Sequence, residues 1–257
     1  MLHPVWAFAT TQDDQLHTLT QESENPVAKL ATLPFQDNTY FRYGTFNRPQ
    51  YVLNIQPVIP FSLTPDWNLI TRTILPVMNQ PNFYRSHAYS GGIGDLNPTF
   101  FLSPANPGKV IWGLGPSFLF PTATQHDLGA GKWGAGPAAV VLGMPGNWVL
   151  GALAYNIWSF AGESNRPTYD QLTLQYFINY NFPKGWFVVS SPIVTADWQA
   201  NSNDVWTVPV GGGFGRVFLM GKQAVNTSLQ AFYNVKQPEL TGPAWSVRFV
   251  FTFLFPE

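Results

Sequence analysis

A segment near the carboxyl end of the chain alternates strictly between two kinds of side chain. In AWSVRFVFTFLF (residues 244–255), every second position is aromatic or aliphatic. This apolar face consists of Trp245, Val247, Phe249, Phe251, Phe253 and Phe255. The opposite face is mixed and carries Arg248. A period of two residues predicts a β-strand, and so large an apolar face predicts that one side of the strand meets lipid.

Composition leaves little charge for a solvated surface. Charged residues are 11% of the 257 residues, against about a quarter in soluble domains. Aromatic residues reach 16%, and 22 Gly and 23 Pro supply many turns. The net charge of −1 gives no electrostatic basis for nucleic-acid binding. Because the chain has no cysteine, disulfides and cysteine-based metal sites are excluded.

The sequence offers no helical route through a membrane. A spanning helix needs about 18 or more consecutive apolar residues. The nearest candidate, AAVVLGMPGNWVLGALAY (138–155), is interrupted by Pro145, Gly146 and Asn147. These are turn residues, so the segment is interpreted as two strands and a tight turn.

From residue 38 to residue 257, strand segments are joined alternately by tight turns and longer polar loops. The tight turns lie at 63–67, 104–109, 144–148, 182–186 and 220–223. The longer loops lie at 78–92, 121–133, 161–170, 198–205 and 236–244, with a shorter one near Asn47. Barrels of the bacterial outer membrane alternate short periplasmic turns with longer external loops. We therefore predict an all-β fold, a transmembrane up-and-down antiparallel β-barrel with twelve strands.

The faces of the strands favour a membrane barrel over a soluble barrel or sandwich. A soluble β-protein would expose its polar faces and enrich them in Lys, Glu and Asp, whereas these faces carry mostly Asn, Gln, Ser and Thr. Tryptophans beside the turns and loops predict an aromatic girdle at each interface. The predicted girdle residues are Trp67, Trp148 and Trp186 at tight turns and Trp133, Trp198, Trp206 and Trp245 at long loops.

Prolines within the predicted strands are the feature that fits a closed barrel least well. Proline removes a ladder hydrogen bond and is confined to edges or bulges, and a closed barrel has no edges. The prolines are Pro57, Pro76, Pro98, Pro116, Pro137, Pro192 and Pro209. We expect five of them to lie near mid-height and to mark bulges or kinks, some of which open the wall sideways to lipid. These five are Pro57, Pro98, Pro116, Pro137 and Pro192.

The region before the barrel is divided into two parts. Residues 1–9 end in a small-x-small sequence and are interpreted as the remnant of a secretory signal, although no basic region precedes them. An ordinary disordered terminus is the alternative. Residues 10–37 are predicted to form a periplasmic or lumen segment, in which Val27, Leu30 and Leu33 favour a short amphipathic turn.

Several blocks of sequence, in order, resemble one family of bacterial outer-membrane proteins. The blocks are WNLITRTILPV (67–77), GIGDLNPTFFLSPANPGK (92–109), GKWGAGPAAVVLGMPG (131–146), NIWSFAG (156–162) and WTVPVGGGFGRVF (206–218). The family is that of phenol-degradation (MetA-pathway) or transporter proteins, often mislabelled neuromedin U. The resemblance runs from about Asn25 to the end of the chain. It implies a Gram-negative outer-membrane barrel that admits small, aromatic molecules, and it implies no catalytic residues.

The inward faces of the strands are where solute contacts are expected. The candidate lumen residues are Asn54, Gln56, Arg72, Asp95, Asn97, Gln175, Asn179, Asn226, Gln230, Arg248 and Arg42. Arg72 and Asp95 lie on consecutive predicted strands and are expected to pair. Arg42 is expected beside Arg248 if the barrel closes there. Two interpretations stay open: these groups bind an anionic or hydroxylated solute, or they fill the interior by bonding to one another and to water.

A barrel of twelve strands is expected to enclose a narrow lumen. Barrels of about eight strands fill with side chains, whereas those of sixteen or more hold an aqueous channel. The segment from residue 25 to residue 38 is a candidate plug, packed in the lumen or lying at the periplasmic rim. A loose tether is the alternative.

Motifs for catalysis and cofactor binding are weak. GAGKWG (129–134) fits a dinucleotide-binding pattern, but no Rossmann strand or helix surrounds it. The four histidines have no metal-ligand spacing. Some outer-membrane barrels are hydrolases, and His87 or His126 clustered with a serine and an acid at the outer rim would indicate one.

We therefore predict an outer-membrane channel that passively admits small aromatic or hydrophobic molecules, without a cofactor, a metal or catalytic residues. The alternatives are a barrel-embedded hydrolase and a structural barrel with a blocked lumen. The expected partners are the lipid bilayer, a small-molecule solute and the outer-membrane assembly machinery, with no nucleic acid. The barrel is expected to be a monomer or a weak oligomer.

Overall fold

The computed structural model describes residues 12–239 and 241–256. The predicted signal remnant, residues 1–9, lies outside the described residues. One helix, α1 (Gln12–Ser23), precedes the strands. The strands are β1 (Ala31–Tyr43), β2 (Arg48–Ile55), β3 (Val58–Ser62), β4 (Trp67–Pro81), β5 (Tyr89–Ile93), β6 (Asn97–Pro104), β7 (Val110–Leu119), β8 (Lys132–Gly143), β9 (Trp148–Gly162), β10 (Asp170–Asn181), β11 (Trp186–Ser190), β12 (Ile193–Asp197), β13 (Trp206–Met220), β14 (Gln223–Lys236) and β15 (Trp245–Phe255).

These segments form a single closed barrel. Three barrel strands are each divided in two, as β2 with β3, β5 with β6, and β11 with β12, so the fifteen segments make twelve barrel strands. Every pairing between neighbours is antiparallel, and β1 closes the barrel against β15 from Ala31↔Phe255 to Phe41↔Trp245. The predicted fold, strand number and alternation of tight turns with long loops are confirmed. In the part of the chain that the structure describes, no helix combines the length and apolar character needed to cross a bilayer.

The first strand begins earlier than the sequence indicated. Strand β1 starts at Ala31, whereas the barrel was expected from residue 38. Gln36 and Asn38 are buried inside while Asp37 is exposed outside, so the strand alternates in this region. Pro34 in the strand hides this alternation, and its carbonyl accepts a bond from the Gln56 amide. Of the predicted amphipathic turn, Val27 and Leu30 are buried in the lumen, and Leu33 belongs to β1.

The outer wall is apolar and carries aromatic rings at both rims. Each predicted girdle tryptophan is exposed on this wall, with fractional exposures from 36% to 48% among the exposed tryptophans. Trp198 and Trp206 lie edge to face with ring centroids 5.5 Å apart at the long-loop rim. At the tight-turn rim Trp67 packs against Trp112, a tryptophan of β7 that was not among the predicted girdle residues. Wide apolar exposure of this kind fits a surface that meets lipid.

The interior is less polar than the sequence pattern indicated. One half of the tight-turn end is filled by inward-facing apolar side chains from β4 and β6 to β10, with Val27 packed among them. Among these are Ile70, Phe101, Val140, Leu142, Val149, Leu153 and Phe177. A second cluster packs α1 and Leu30 against Phe187, Val217 and Leu254. The narrow barrel is therefore partly filled, and the polar residues share only the remaining space.

The five mid-height prolines interrupt the hydrogen-bond ladder without the bulges expected of them. The strand is interrupted at Pro57, but Ile55↔Leu75 and Val58↔Arg72 keep the same register. The same holds at Pro192, between β11 and β12. The shifts of register lie elsewhere, at Arg42, Pro209 and Trp133, in the ladders that the structure describes.

The prolines do thin three ladders. The pairing of β8 with β9 skips Gly136 and Pro137. Between β6 and β7, which contain Pro98 and Pro116, only Thr99↔Ser117 and Leu102↔Leu114 pair. Between β11–β12 and β13, pairing stops after Val189↔Gly213 and resumes at Thr195↔Thr207. We name this last interval, residues 190–194 against 208–212, the β12–β13 gap. The expected interruptions are therefore present, whereas bulges at these five prolines are not.

A carboxylate faces outward from the middle of β1. Asp37 is exposed, lies opposite Phe249 of β15 and Leu53 of β2, and has no hydrogen-bond partner among the described residues. Phe41, which pairs with Trp245 of the girdle, is four residues further along the strand. This spacing puts the carboxylate roughly 10 Å inside the apolar band.

We expect Asp37→Leu to raise the free energy of unfolding, by on the order of 1 kcal/mol, because it removes a polar group from the lipid-facing surface. Equilibrium urea unfolding in lipid vesicles would measure the change. Asp37→Asn should give a smaller gain, and Asp66→Asn, in an exposed tight turn, should give none. An unchanged or lower stability of Asp37→Leu would contradict this orientation of β1.

Candidate functional site: the lumen

Three adjoining cavities run through the barrel from the long-loop rim towards the tight turns. The mouth cavity, about 400 Å³, lies between loop residues such as Asp204 and Gly242. It shares Tyr43 and Thr207 with the upper cavity, which measures about 280 Å³. The upper cavity in turn shares Arg248 with the lower cavity of about 160 Å³. A solute entering from the long-loop rim therefore meets Arg248 before it reaches the lower cavity.

The floor of the lower cavity is the chain between α1 and β1. Ser23, Glu24, Asn25 and Pro26 line it. The Glu24 carboxylate accepts hydrogen bonds from Asn179 Nδ2 at 2.7 Å and from Asn226 Nδ2 at 2.9 Å. Through these two bonds Glu24 anchors the segment to β10 and β14.

Burial raises the pKa of Glu24, and the two amide hydrogen bonds lower it by less. The folded protein therefore binds the Glu24 proton more tightly than the unfolded chain does. Docking of the segment is favoured at low pH and weakens as the pH rises through this raised pKa.

Arg248 crosses the lumen between the upper and lower cavities. Its side chain is buried, at 5% exposure. Nε donates to Asn38 Oδ1 at 2.9 Å, and Nη1 donates to the Ser191 carbonyl at 2.8 Å. The guanidinium also lies over the Phe232 ring, 4.8 Å from its centroid. Arg248 thus ties the β1–β15 wall to the chain that precedes Pro192.

Arg72 is the second cation of the lower cavity. Its Nη2 donates to Gln56 Oε1 at 2.9 Å, and both residues line the cavity. Of the predicted lumen residues, those on this lining are Gln56, Arg72, Gln175, Asn226, Gln230 and Arg248. Gln230 also accepts a bond from Ser191 Oγ at 2.9 Å. Asn54 faces inward opposite Gln36 in the β1–β2 ladder.

Three predicted lumen residues have other roles. Asp95 does not pair with Arg72, because its carboxylate accepts the backbone amides of Ala123 and Ala130 and so holds a long loop. Asn97 bonds Ser117 and the Phe118 carbonyl between β6 and β7. Arg42 does not lie beside Arg248, which pairs with Asn38. Arg42 sits at the bulge of β1 with a φ of 55°, exposed at the long-loop rim.

Sequence reasoning missed four residues of this site: Glu24, Gln36, Asn38 and Ser191. The late start assigned to β1 concealed the inward positions of Gln36 and Asn38. Glu24 carries no periodic signal because it lies outside the strands. Ser191 acts mainly through its backbone carbonyl, which no sequence pattern marks.

Polar groups also gather at the long-loop rim, but their contacts do not activate a nucleophile. Ser90 Oγ donates to Asp127 Oδ2 at 3.1 Å, and His126 Nδ1 lies 3.6 Å from Asp127 Oδ1. A hydrolase needs the histidine to bond the serine, and here the His126 ring lies against Arg166 instead. His87 is exposed. Among the described residues no three His, Asp or Glu side chains converge so as to hold a metal ion.

Comparison with solved structures gives two similar barrels. The COG4313 outer membrane channel from Pseudomonas putida F1 is 17% identical, with a TM-score of 0.66 over 88% of this chain and 94% of that chain. The CymD monoaromatic hydrocarbon channel is 12% identical, with a TM-score of 0.50 over 94% of this chain and 91% of that chain. No family model matches the chain, and no curated protein does.

The outer membrane phospholipase A from Escherichia coli is also similar, with 12% identity and a TM-score of 0.45 over 88% of this chain and 96% of that chain. A likeness of this size carries no argument about catalysis. The stronger likenesses are below 25% identity and show the fold alone. With the apolar outer wall, they make this chain a barrel of the bacterial outer membrane, as predicted. Membership of the phenol-degradation family stays a prediction.

The titration of Glu24 predicts how the conductance of the barrel depends on pH. In planar bilayers, we expect the conductance of the wild-type barrel to be lowest below pH 4.5, the unfolded value, and to rise with pH through the raised pKa of Glu24. Glu24→Gln should flatten this profile, because the residue no longer titrates. Glu163→Gln is the matched control at an exposed carboxyl of a long loop and should keep the rise. A wild-type conductance that falls with rising pH would show that the sign is wrong.

Proposed function

We propose that this barrel passively admits small hydrophobic or aromatic molecules through its narrow lumen. The observation that carries the proposal is the series of cavities that starts at the long-loop rim and is closed at the other end by the segment anchored through Glu24. An open water-filled porin would lack such a floor. A structural barrel would need no mouth cavity.

The lining of the upper cavity favours a solute with an apolar body. Val52, Met78, Ile193, Pro209 and Phe232 contribute apolar surface. Ligand sites of this kind combine an apolar lining with a few polar groups that fix orientation. CymD is a monoaromatic hydrocarbon channel, and we propose the same broad class of solute for this chain.

The β12–β13 gap is the proposed exit. Ile193 and Thr195 on one side, and Thr207 and Pro209 on the other, border both the gap and the upper cavity. Proline supplies no amide hydrogen for the ladder, so separation of the strands at Pro192 and Pro209 breaks fewer bonds than elsewhere. A hydrophobic molecule halted above Arg248 then passes sideways into lipid and does not cross the floor.

Uptake by vesicles with a lipopolysaccharide outer leaflet tests the proposal directly. Phenol should enter faster in vesicles that contain the barrel than in protein-free vesicles, whereas sucrose entry should be unchanged, because the cavities are small and the floor is closed. Equal acceleration of both solutes would indicate a hydrophilic pore. Acceleration of neither would favour a structural barrel.

A disulfide staple tests the sideways exit, and the absence of native cysteine makes it specific. Oxidised Thr195→Cys/Thr207→Cys, placed at a paired position that borders the gap, should lower phenol uptake severalfold, and a reductant should restore it. Phe214→Cys/Leu229→Cys joins paired positions on the continuous β13–β14 ladder and should leave uptake unchanged. Full uptake through the stapled gap would refute this exit.

A further inference from the structure

Two arginines face the lower cavity without a carboxylate partner. Among the described residues no acidic side chain lies within ion-pair distance of Arg72 or Arg248, whose side-chain acceptors are Gln56 and Asn38, both neutral. The acid on the cavity lining is Glu24, and its oxygens accept bonds from Asn179 and Asn226. The lower cavity therefore holds more positive than negative charge.

Uncompensated charge inside a barrel wall is costly. A cation removed from water is stabilised only by hydrogen bonds and by nearby opposite charge. The amide oxygens of Gln56 and Asn38 and the carbonyl of Ser191 supply dipoles, but no anion. Each guanidinium has five N–H donors. Arg72 uses Nη2, and Arg248 uses Nε and Nη1, in the hydrogen bonds described above. Each arginine therefore has N–H groups left for a further acceptor.

We propose that Arg248 and Arg72 form an anion-binding site, and that the barrel selects amphiphilic monocarboxylates over neutral molecules of the same shape. This inference rests on the proposed function and names its substrate class. The carboxylate binds at Arg248, between the two cavities, with Arg72 as the second cation. The apolar body occupies the upper cavity against Phe232 and Ile193.

Arg248 also links the anion site to the proposed exit. Its Nη1 holds the Ser191 carbonyl, which borders the β12–β13 gap. A carboxylate is a stronger acceptor for a guanidinium than a carbonyl is. A carboxylate bound to the free donors draws the guanidinium towards the cavities, which weakens its bond to Ser191 and releases the chain next to Pro192 while the solute is beside the gap.

A pair of isosteric probes separates this inference from the channel proposal. Binding of 4-propylbenzoate and of the neutral 4-propylbenzamide to the purified full chain in nanodiscs would be measured by calorimetry at pH 7. The wild-type barrel should prefer the carboxylate by about tenfold or more, as expected for one added charge-assisted contact. Arg248→Gln and Arg72→Gln should each reduce that ratio, and the double variant should bring it close to one.

Arg85→Gln is the matched control, since it removes the same charge from an exposed loop, and it should keep the wild-type ratio. Arg248→Lys, which keeps the charge but loses the two-pronged contact, should give an intermediate ratio if the barrel folds. Equal binding of the two probes to the wild type, or an unchanged ratio in both glutamine variants, would overturn the anion site alone. Binding of neither probe would overturn the channel proposal and this inference with it.

Discussion

The requirement that every backbone polar group in a bilayer find a partner governs this structure. Closure of β1 against β15 satisfies it for most of the wall. Prolines leave some ladder bonds unmade, and between β6 and β7 and at the β12–β13 gap side chains bond the backbone carbonyls instead. Between β6 and β7, Asn97 bonds the Phe118 carbonyl and Ser103 Oγ bonds the Trp112 carbonyl.

Side chains also bond backbone carbonyls at the β12–β13 gap, but with a different consequence. Ser190 Oγ donates a hydrogen bond to the Gly211 carbonyl at 2.6 Å, within the barrel wall. The Ser191 carbonyl is satisfied from across the lumen by Arg248. The bond from Ser190 is local, because the short serine side chain reaches only the neighbouring strand. The bond to Ser191 comes from the long side chain of Arg248, which also lines the upper and lower cavities. A solute in either cavity therefore contacts the group that makes this bond.

The barrel itself could be predicted from sequence because its signals are local. Alternation in residues such as Trp245 to Phe255, turn residues at fixed intervals and the weak charge of the polar faces each point to the same fold. The start of β1 could not be located in this way, since Pro34 and the lipid-facing Asp37 break the pattern. Segments apolar on both faces, such as that around Val140, also gave no sign of which side points inward.

The candidate site was predictable only in part, for a related reason. Inward positions follow from the two-residue period, and Gln56, Arg72 and Arg248, which were expected to face inward, line the lower cavity. Partners across the lumen depend on strand tilt and on the filling of the interior, and neither is encoded in spacing. Asp95 was therefore paired with the wrong group, when it in fact supports a loop.

The cavities exist because apolar side chains fill only part of the barrel interior. Apolar side chains of β4 and β6 to β10 occupy one side of the tight-turn end, and the anchored segment closes what remains. The upper cavity lies beside β1, β12, β13 and β15, where the β12–β13 gap interrupts the ladder. Because Arg248 stands at the junction of that space with the gap, a single side-chain movement changes both the continuity of the lumen and the bonding of the wall. In the exit that we propose, sideways opening is coupled to occupancy through Arg248, without any rearrangement of the barrel as a whole.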